Sequence, residues 1–288
     1  MNIAIIGLGL IGGSLGLALK RAGQASLKIT GVPRREETIK LALQLGAIDE
    51  GTTDLAKGVA DADLVFVCTP INLIIPIITE IAPKLKKGAI VTDVGSSKYE
   101  IVSQAEKLMP KGVYFVGGHP LAGKETTKLE AAEAGLFSNR TWVLTRTSKT
   151  SKKASEQVEQ VVGLIGGLVV GMEPKIHDHV VAAVSHMPLA VAAALVNTVA
   201  GEEQKELMTK CVASGFRDTT RIASGDPILG VDMFKTNKKS VLKMIGAFKK
   251  SLTNLEKMIR EGDGEKIREE LTKAKQFRDA IYNEKPAG

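Results

Sequence analysis

The hydrophobic pattern at the start of the chain changes its period within the first 23 residues. Residues 3–6 form an uninterrupted apolar run with the length of a buried strand. Between Leu15 and Ala22 the apolar residues recur at the spacing of one helix face, and Gly23 follows them. The segment between them is rich in glycine. The pattern therefore predicts a strand, a glycine turn and a helix in succession.

The same alternation of apolar runs and helical spacing continues through the first 172 residues. Alternating strands and helices are typical of a mostly parallel, doubly wound sheet that carries helices on its faces. The further strands are predicted at residues 27–32, 64–68, 89–93, 113–116, 141–144 and 168–172, and the further helices at 36–45, 72–85, 98–109 and 152–165.

The first glycine turn has the spacing G-x-G-x-x-G, placed after a strand and before a helix, which is typical of a dinucleotide site. Gly7 permits the tight turn, Gly9 lets a pyrophosphate approach the backbone, and Gly12 allows close packing of helix and strand. The first helical turn offers free N–H groups to the phosphates. The alternative is a glycine-rich turn without a nucleotide. The predicted cofactor turn comprises Gly7, Leu8, Gly9, Leu10, Ile11 and Gly12.

The pattern changes near Pro174, because the positions after it show helical spacing only. These helices are predicted at residues 177–200, 202–214, 227–237, 240–261 and 265–282. The predicted fold class is α/β, with a Rossmann-type doubly wound parallel sheet followed by an all-helical domain. We place the dinucleotide-binding domain at residues 1–174 and the helical substrate and dimerisation domain at residues 175–288.

The end of the second predicted strand indicates which dinucleotide binds. An acidic residue there favours NAD, and an arginine accommodates the 2′-phosphate of NADP. Arg34 and Arg35 occupy this position, and no carboxylate occurs before Glu36. The sequence therefore favours NADP; the alternative is that both arginines are only the exposed start of a helix, with NAD accepted. Thr69 and Pro70, which end the third long strand, complete the predicted cofactor site.

Composition limits the classes of partner. The chain has 288 residues, a net charge of +7 and aromatic residues at only 4%, and the pI is about 9.2. Its lysines are scattered rather than interleaved with aromatics, so we expect attraction to small anions and no nucleic-acid binding. Two isolated cysteines and the lack of a signal-peptide pattern favour a reduced, cytoplasmic location. We assign no metal site.

Residues 180–200 form the most apolar stretch of the chain. His186, Pro188 and Asn197 interrupt it, and charged residues flank it closely, so a membrane span is disfavoured. A helix that is apolar all round has no face suited to solvent. We therefore predict that this helix is buried in the core or in a homodimer interface.

Polar residues follow the predicted strands where an open α/β sheet binds its ligands. Residues 93–98 (DVGSSK) and 117–123 (GGHPLAG) both stand at strand ends. His119 lies between two glycines and a proline, where a histidine suits general-base chemistry. The alternative is a loop histidine that is satisfied by the backbone.

The helical half adds a smaller set of candidates. His186 is embedded in an apolar helix, where a histidine is commonly only a satisfied core residue. Arg217 and Arg221 are four residues apart and would share a helix face, which suits a substrate with two carboxylates; the alternative is a surface pair with Asp218 as a salt-bridge partner. Asp226 and Pro227 are predicted to cap a helix.

Taken together, the glycine turn, the DVGSSK and GGHPLAG segments, the SHMP segment at 185–188 and the GFRDTTRIA segment at 215–223 resemble the prephenate/arogenate dehydrogenases of tyrosine biosynthesis. The resemblance covers essentially the whole chain. It implies a Rossmann domain joined to a helical domain that forms a tight dimer. It also implies an oxidative decarboxylation, in which hydride leaves ring C4 for nicotinamide and the ring carboxylate leaves as CO2.

The resemblance further implies roles for individual residues. His119 is similar to the residue that accepts a hydrogen bond from the C4 hydroxyl of the substrate, and Ser96 to the serine that orients this hydroxyl. His186 is similar to a histidine that lines the substrate pocket. Arg221 resembles the ligand of the ring carboxylate, with Arg217 as a second anion contact.

Three alternatives stay open at this point. Prephenate carries a keto group in its side chain where arogenate carries an ammonium. The sequence shows no acid dedicated to binding that ammonium, so it does not decide between the two substrates. Another two-domain NADP oxidoreductase, of the β-hydroxyacid dehydrogenase or imine reductase type, would use a lysine or aspartate of the helical domain as its catalytic group. A redox sensor that binds NADP without chemistry would be indifferent to the loss of His119.

Overall fold

A computed structural model describes residues 1–23, 26–124 and 128–283. Within these ranges, eight strands form one sheet in the order β3-β2-β1-β4-β5-β6-β7-β8. Their bounds are β1 Asn2–Ile6, β2 Lys28–Val32, β3 Glu50–Gly51, β4 Leu64–Val67, β5 Ile90–Asp93, β6 Tyr114–Pro120, β7 Thr141–Thr145 and β8 Leu168–Met172.

Helices join most of the strands and account for most of the described chain after the sheet. Those between strands are α1 Leu10–Arg21, α2 Glu36–Gln44, α3 Leu55–Val59, α4 Ile71–Ile81, α5 Tyr99–Leu108 and α6 Lys152–Leu164. Those after the sheet are α7 Pro174–Val181, α8 Met187–Ala200, α9 Lys205–Lys210, α10 Ser214–Thr220, α11 Pro227–Thr236, α12 Lys238–Glu261 and α13 Gly264–Asn283.

The predicted doubly wound sheet is confirmed, with one departure from parallel pairing. The residues of β1 that follow Asn2 are buried, and β1 pairs in parallel with both β2 and β4. A strand covered on both faces needs a continuous apolar run, which explains the pattern at residues 3–6. β7 instead runs antiparallel to β6, so that His119 pairs with Val143. Buried side chains form two apolar clusters, which the helices on the two faces complete.

Several local predictions differ from the structure. The short strand β3 and helix α3 are absent from the prediction, because two and five residues carry too little periodicity. The helix predicted at 202–214 is instead α9, an irregular stretch and α10. The helix predicted at 177–200 contains a π-helical turn at Ala182–His186. Pro188 has no N–H to donate into the preceding turn, which accounts for the irregularity.

The chain divides into two compact units, Met1–Lys238 and Lys239–Gly288. The first contains the whole sheet and helices α1 to α11. In its described part, Pro174–Ala200 is long and apolar enough to cross a membrane by length and composition, and 22% of its most apolar window is buried. The second unit consists of α13 and nearly all of α12. The boundary at residues 174 and 175 therefore stays a prediction.

Candidate active site

The glycine turn lies at the carboxyl end of β1. Gly7 has a φ of +89°, and a Cβ there would stand 2.6 Å from the carbonyl oxygen of Cys68. A Cβ on Gly12 would stand 2.0 Å from the carbonyl oxygen of Gly7. Neither position therefore accepts a larger residue, and the helix is held directly against the strand. Helix α1 begins after Gly9 with no side-chain cap and no acidic residue in its first turn.

The same corner of the sheet fits a dinucleotide. The uncapped N-terminus of α1 offers backbone N–H groups and a positive dipole end to an anion. The Thr69 hydroxyl oxygen is buried beside the turn and has no hydrogen-bond partner in the described chain. Arg34 and Arg35, just beyond β2, are exposed. The backbone N–H groups of α1 and the unpartnered Thr69 hydroxyl therefore lie where a cofactor would bind.

A buried ion pair stands at the end of β5, and its carboxylate is also bonded to β6. Asp93 and Lys98 are both fully buried, and the Lys98 ammonium donates to the Asp93 carboxylate. Asp93 also accepts the backbone N–H groups of Gly95 at 2.9 Å and Gly118 at 3.2 Å. Burial lowers the pKa of Lys98, and Asp93 opposes that shift. The pair fixes the loop that carries Ser96, which is half-buried.

His119 is the last residue but one of β6 and is only 9% exposed. Its Nδ1 is 2.9 Å from Nε2 of His177, and the two rings meet edge to face at 72°. Burial lowers the pKa of His119 well below its usual range, and the nearby His177 and Lys98 lower it further. The ring is therefore neutral at physiological pH, as a general base requires.

His177 and Asp178, on α7, join this site although the sequence prediction assigned them no function. His177 is fully buried, and its Nδ1 is 2.8 Å from Oδ1 of Asp178. Burial lowers the pKa of His177, and Asp178 opposes that shift. The adjacent His-Asp pair, in the first helix after the last strand, is the sequence signal that could have suggested them. The contact between His177 and His119 joins residues 58 positions apart in the chain.

His186 is also buried, in the π-helical turn. The Asn237 side-chain amide donates to the backbone carbonyl of Asp178 at 2.7 Å and lies 3.3 Å from Nδ1 of His186. Because an NH2 group can only donate, His186 Nδ1 accepts, and the ring proton is on Nε2. That Nε2 is buried without a partner in the described chain. Burial lowers the pKa of His186 to about 4, so this ring is neutral as well.

The two candidate arginines lie at the surface. The side chain of Arg217, in α10, is 73% exposed, and its Nε donates to Asp218 at 3.1 Å. Arg221 is exposed and begins a 3-10 turn after α10, so the two do not share one continuous α-helix. Asp226 accepts the N–H of Ile228 at 2.9 Å, which confirms the predicted cap of α11. No cluster of metal-ligating side chains occurs in the described ranges.

Two family models match the chain in sequence. The nucleotide-binding domain of prephenate dehydrogenase matches residues 15–171, and the dimerization domain of prephenate dehydrogenase matches residues 173–273. The prephenate dehydrogenase of Bacillus subtilis (strain 168) is 34% identical over 282 residues, covering 97% of this chain and 76% of the relative.

Solved structures of similar proteins agree with the sequence relatives. Prephenate dehydrogenase from A. aeolicus, in complex with hydroxyphenyl propionate and NAD+, superposes with a TM-score of 0.91 at 38% identity, covering 98% of both chains. Synechocystis arogenate dehydrogenase superposes with a TM-score of 0.87 at 35% identity, covering 98% of this chain and 100% of the other. The two family models together match most of the chain, and the sequence relative and the solved structure each cover nearly all of it. The chain therefore belongs to the prephenate dehydrogenase family.

Proposed function

We propose that the protein catalyses the oxidative decarboxylation of prephenate or arogenate with NADP, yielding 4-hydroxyphenylpyruvate or tyrosine. The observation that carries this proposal is the neutral, buried His119 at the carboxyl edge of the sheet, held by a hydrogen bond to His177. A base in this position suits a substrate whose hydroxyl must lose its proton while hydride departs.

The chemistry divides between the cofactor and the chain. The oxidised nicotinamide, when bound, supplies the acceptor for the hydride from C4. His119 takes the proton of the C4 hydroxyl as the carbon–oxygen double bond forms. Loss of the ring carboxylate as CO2 then aromatises the ring, and His119 returns the proton to the phenolate oxygen. Ser96, in the loop fixed by Asp93 and Lys98, orients the hydroxyl toward His119.

The remaining substrate contacts come from the helical part of the chain. We assign the ring carboxylate to Arg221 and a second anion contact to Arg217. The unpartnered Nε2–H of His186 is a buried donor that an oxygen of the substrate would satisfy. Binding the ring carboxylate too tightly would oppose its loss, so an exposed arginine suits this role better than a buried one.

A turnover assay tests the proposed reaction. The absorbance of the reduced nicotinamide is followed with prephenate and then with arogenate, each with NADP and with NAD. Turnover of at least one substrate is expected. Absence of turnover with both substrates and both cofactors would overturn the proposal. Both substrates are needed because the sequence shows no acid dedicated to the ammonium of arogenate, and Asp226 already caps α11.

The preference for NADP over NAD rests on Arg34. Replacing Arg34 by alanine is expected to raise the KM for NADP roughly 10- to 100-fold, the equivalent of one hydrogen bond to a charged group. The KM for NAD should change much less, because NAD carries no 2′-phosphate. Steady-state kinetics with each cofactor measure both effects. Arg260→Ala, an exposed arginine paired with Glu256 on α12, is the control; equal changes for both cofactors in Arg34→Ala would refute the role.

We also propose that the protein is a homodimer. The matched dimerization-domain model supports this, and so do large apolar side chains that the single chain leaves exposed, such as Val184 at 66% and Ile228 at 68%. Large apolar side chains at these positions suit a surface that a second copy of the chain covers. Light scattering coupled to size exclusion is expected to give twice the 30.6 kDa mass of one chain, and a monodisperse monomer would contradict the proposal.

A further inference from the structure

We propose that His177 and Asp178 are positioning residues that fix the tautomer of His119, with its proton on Nδ1 and its lone pair on Nε2. The inference deepens the proposed function, because it rests on the role of His119 as the base. It follows from three hydrogen bonds in series and from what each group can donate.

Asp178 is the fixed end of the series. Its Oδ1 accepts the backbone N–H of Lys98 at 2.7 Å, and its Oδ2 accepts the backbone N–H of Tyr99 at 3.0 Å. These groups stand at the N-terminus of α5, where a negative charge is favourable. The carboxylate of α7 is thereby tied to the loop that follows β5. Its oxygens have their positions set by the backbone of another element.

The proton positions follow from that anchor. An ionised carboxylate can only accept hydrogen bonds, so Nδ1 of His177 must carry the proton in their 2.8 Å contact. A neutral His177 then has a lone pair on Nε2. Nδ1 of His119, 2.9 Å away, must donate to it. A neutral His119 with its proton on Nδ1 presents an accepting Nε2, which is what the substrate hydroxyl requires.

The surrounding charges agree with this assignment. Burial lowers the pKa of His119, and the Lys98 ammonium lowers it further; burial also lowers the pKa of His177, and the hydrogen bond to Asp178 opposes that shift. When His119 accepts the substrate proton, its Nδ1–H bond to His177 and the negative charge behind it stabilise the cation. The carboxylate of the Ser-His-Asp triad holds its imidazole in the same way.

A matched pair of variants separates this role from simple packing. His177→Gln retains an oxygen that can accept from His119, whereas His177→Leu fills the space and accepts nothing. The Leu variant is expected to lose a large part of the roughly 10²–10⁴-fold contribution of a general base to kcat. The Gln variant should retain most of its kcat. The KM for the cofactor should be the same in both, since neither change touches the glycine turn.

The tautomer itself can be read by NMR without turnover. The chain has four histidines, so protein labelled with ¹⁵N-histidine gives few imidazole signals, which single variants assign. His119 is expected to carry its proton on Nδ1 in the parent and in His177→Gln, and on Nε2 in His177→Leu. A proton on Nε2 in the parent, or the same tautomer and kcat in all three proteins, would overturn the proposal. If the parent turned over neither substrate, the proposed function would fail, while the NMR result would still decide the tautomer.

Discussion

Replacement of His119 by asparagine is expected to lower kcat by about 10²- to 10⁴-fold, the contribution of a general base. The side-chain amide of asparagine lies close to the position that Nδ1 occupies in the histidine ring. It can therefore keep the hydrogen bond to His177, but it has no atom in place of Nε2. The variant thus removes the base and leaves the supporting contact intact.

Cofactor affinity distinguishes this loss from a general defect. The glycine turn, Thr69 and Arg34 are untouched, so the Kd for NADPH should be unchanged, as measured by the fluorescence of this reduced cofactor. His179→Asn is the matched control, because His179 is exposed on the same helix as His177. It should retain the parent kcat. Full activity of His119→Asn would show that another group takes the proton.

The pH profile of the parent tests the same residue. Because burial lowers the pKa of His119 well below 6.5, the ring keeps its lone pair as the pH falls through 6.5. The acid limb of kcat/KM is therefore expected well below pH 6.5, where His119 finally takes a proton and loses its ability to act as a base. An acid limb centred at the ordinary histidine value, which His119→Asn abolishes, would contradict the burial of a neutral ring.

The second large effect concerns stability. Replacing Lys98 by methionine is expected to lower the free energy of unfolding by about 3–5 kcal/mol, the usual cost of breaking a buried ion pair. The methionine fills similar space but, within the described residues, leaves the fully buried Asp93 carboxylate with only the backbone N–H groups of Gly95 and Gly118 as donors. Urea denaturation measures the change.

Two further variants make this prediction specific. Lys107→Met, at an exposed position in the last turn of α5, the helix that follows Lys98, should change the free energy of unfolding by no more than about 0.5 kcal/mol. Combining Lys98→Met with Asp93→Asn removes both charges and should recover part of the loss. A double variant less stable than Lys98→Met would indicate that Asp93 is held mainly by its backbone donors rather than by the lysine.

Elements with a strong local pattern were predictable from the sequence. The apolar run of β1, the glycines that follow it and the Asp226 cap of α11 all depend on residues within a few positions of each other. Local sterics and hydrogen bonds between near neighbours decide such features, so the glycine turn of the predicted dinucleotide site can be placed from the sequence. The resemblance that rests on the GGHPLAG and GFRDTTRIA segments then identified the family, and the domain models and solved relatives confirm it.

The surroundings of His119 were decided only by the tertiary structure. His119 and His177 lie 58 residues apart in the chain, and the Asp178 carboxylate binds a backbone N–H 80 residues away. The antiparallel pairing of β7 and the buried state of Lys98 likewise depend on how distant segments pack. The hydrophobic periodicity of one segment does not tell which hydrogen-bond donor a distant segment will place against it. The sequence by itself therefore placed the glycine turn and singled out His119; packing decided which groups surround that histidine.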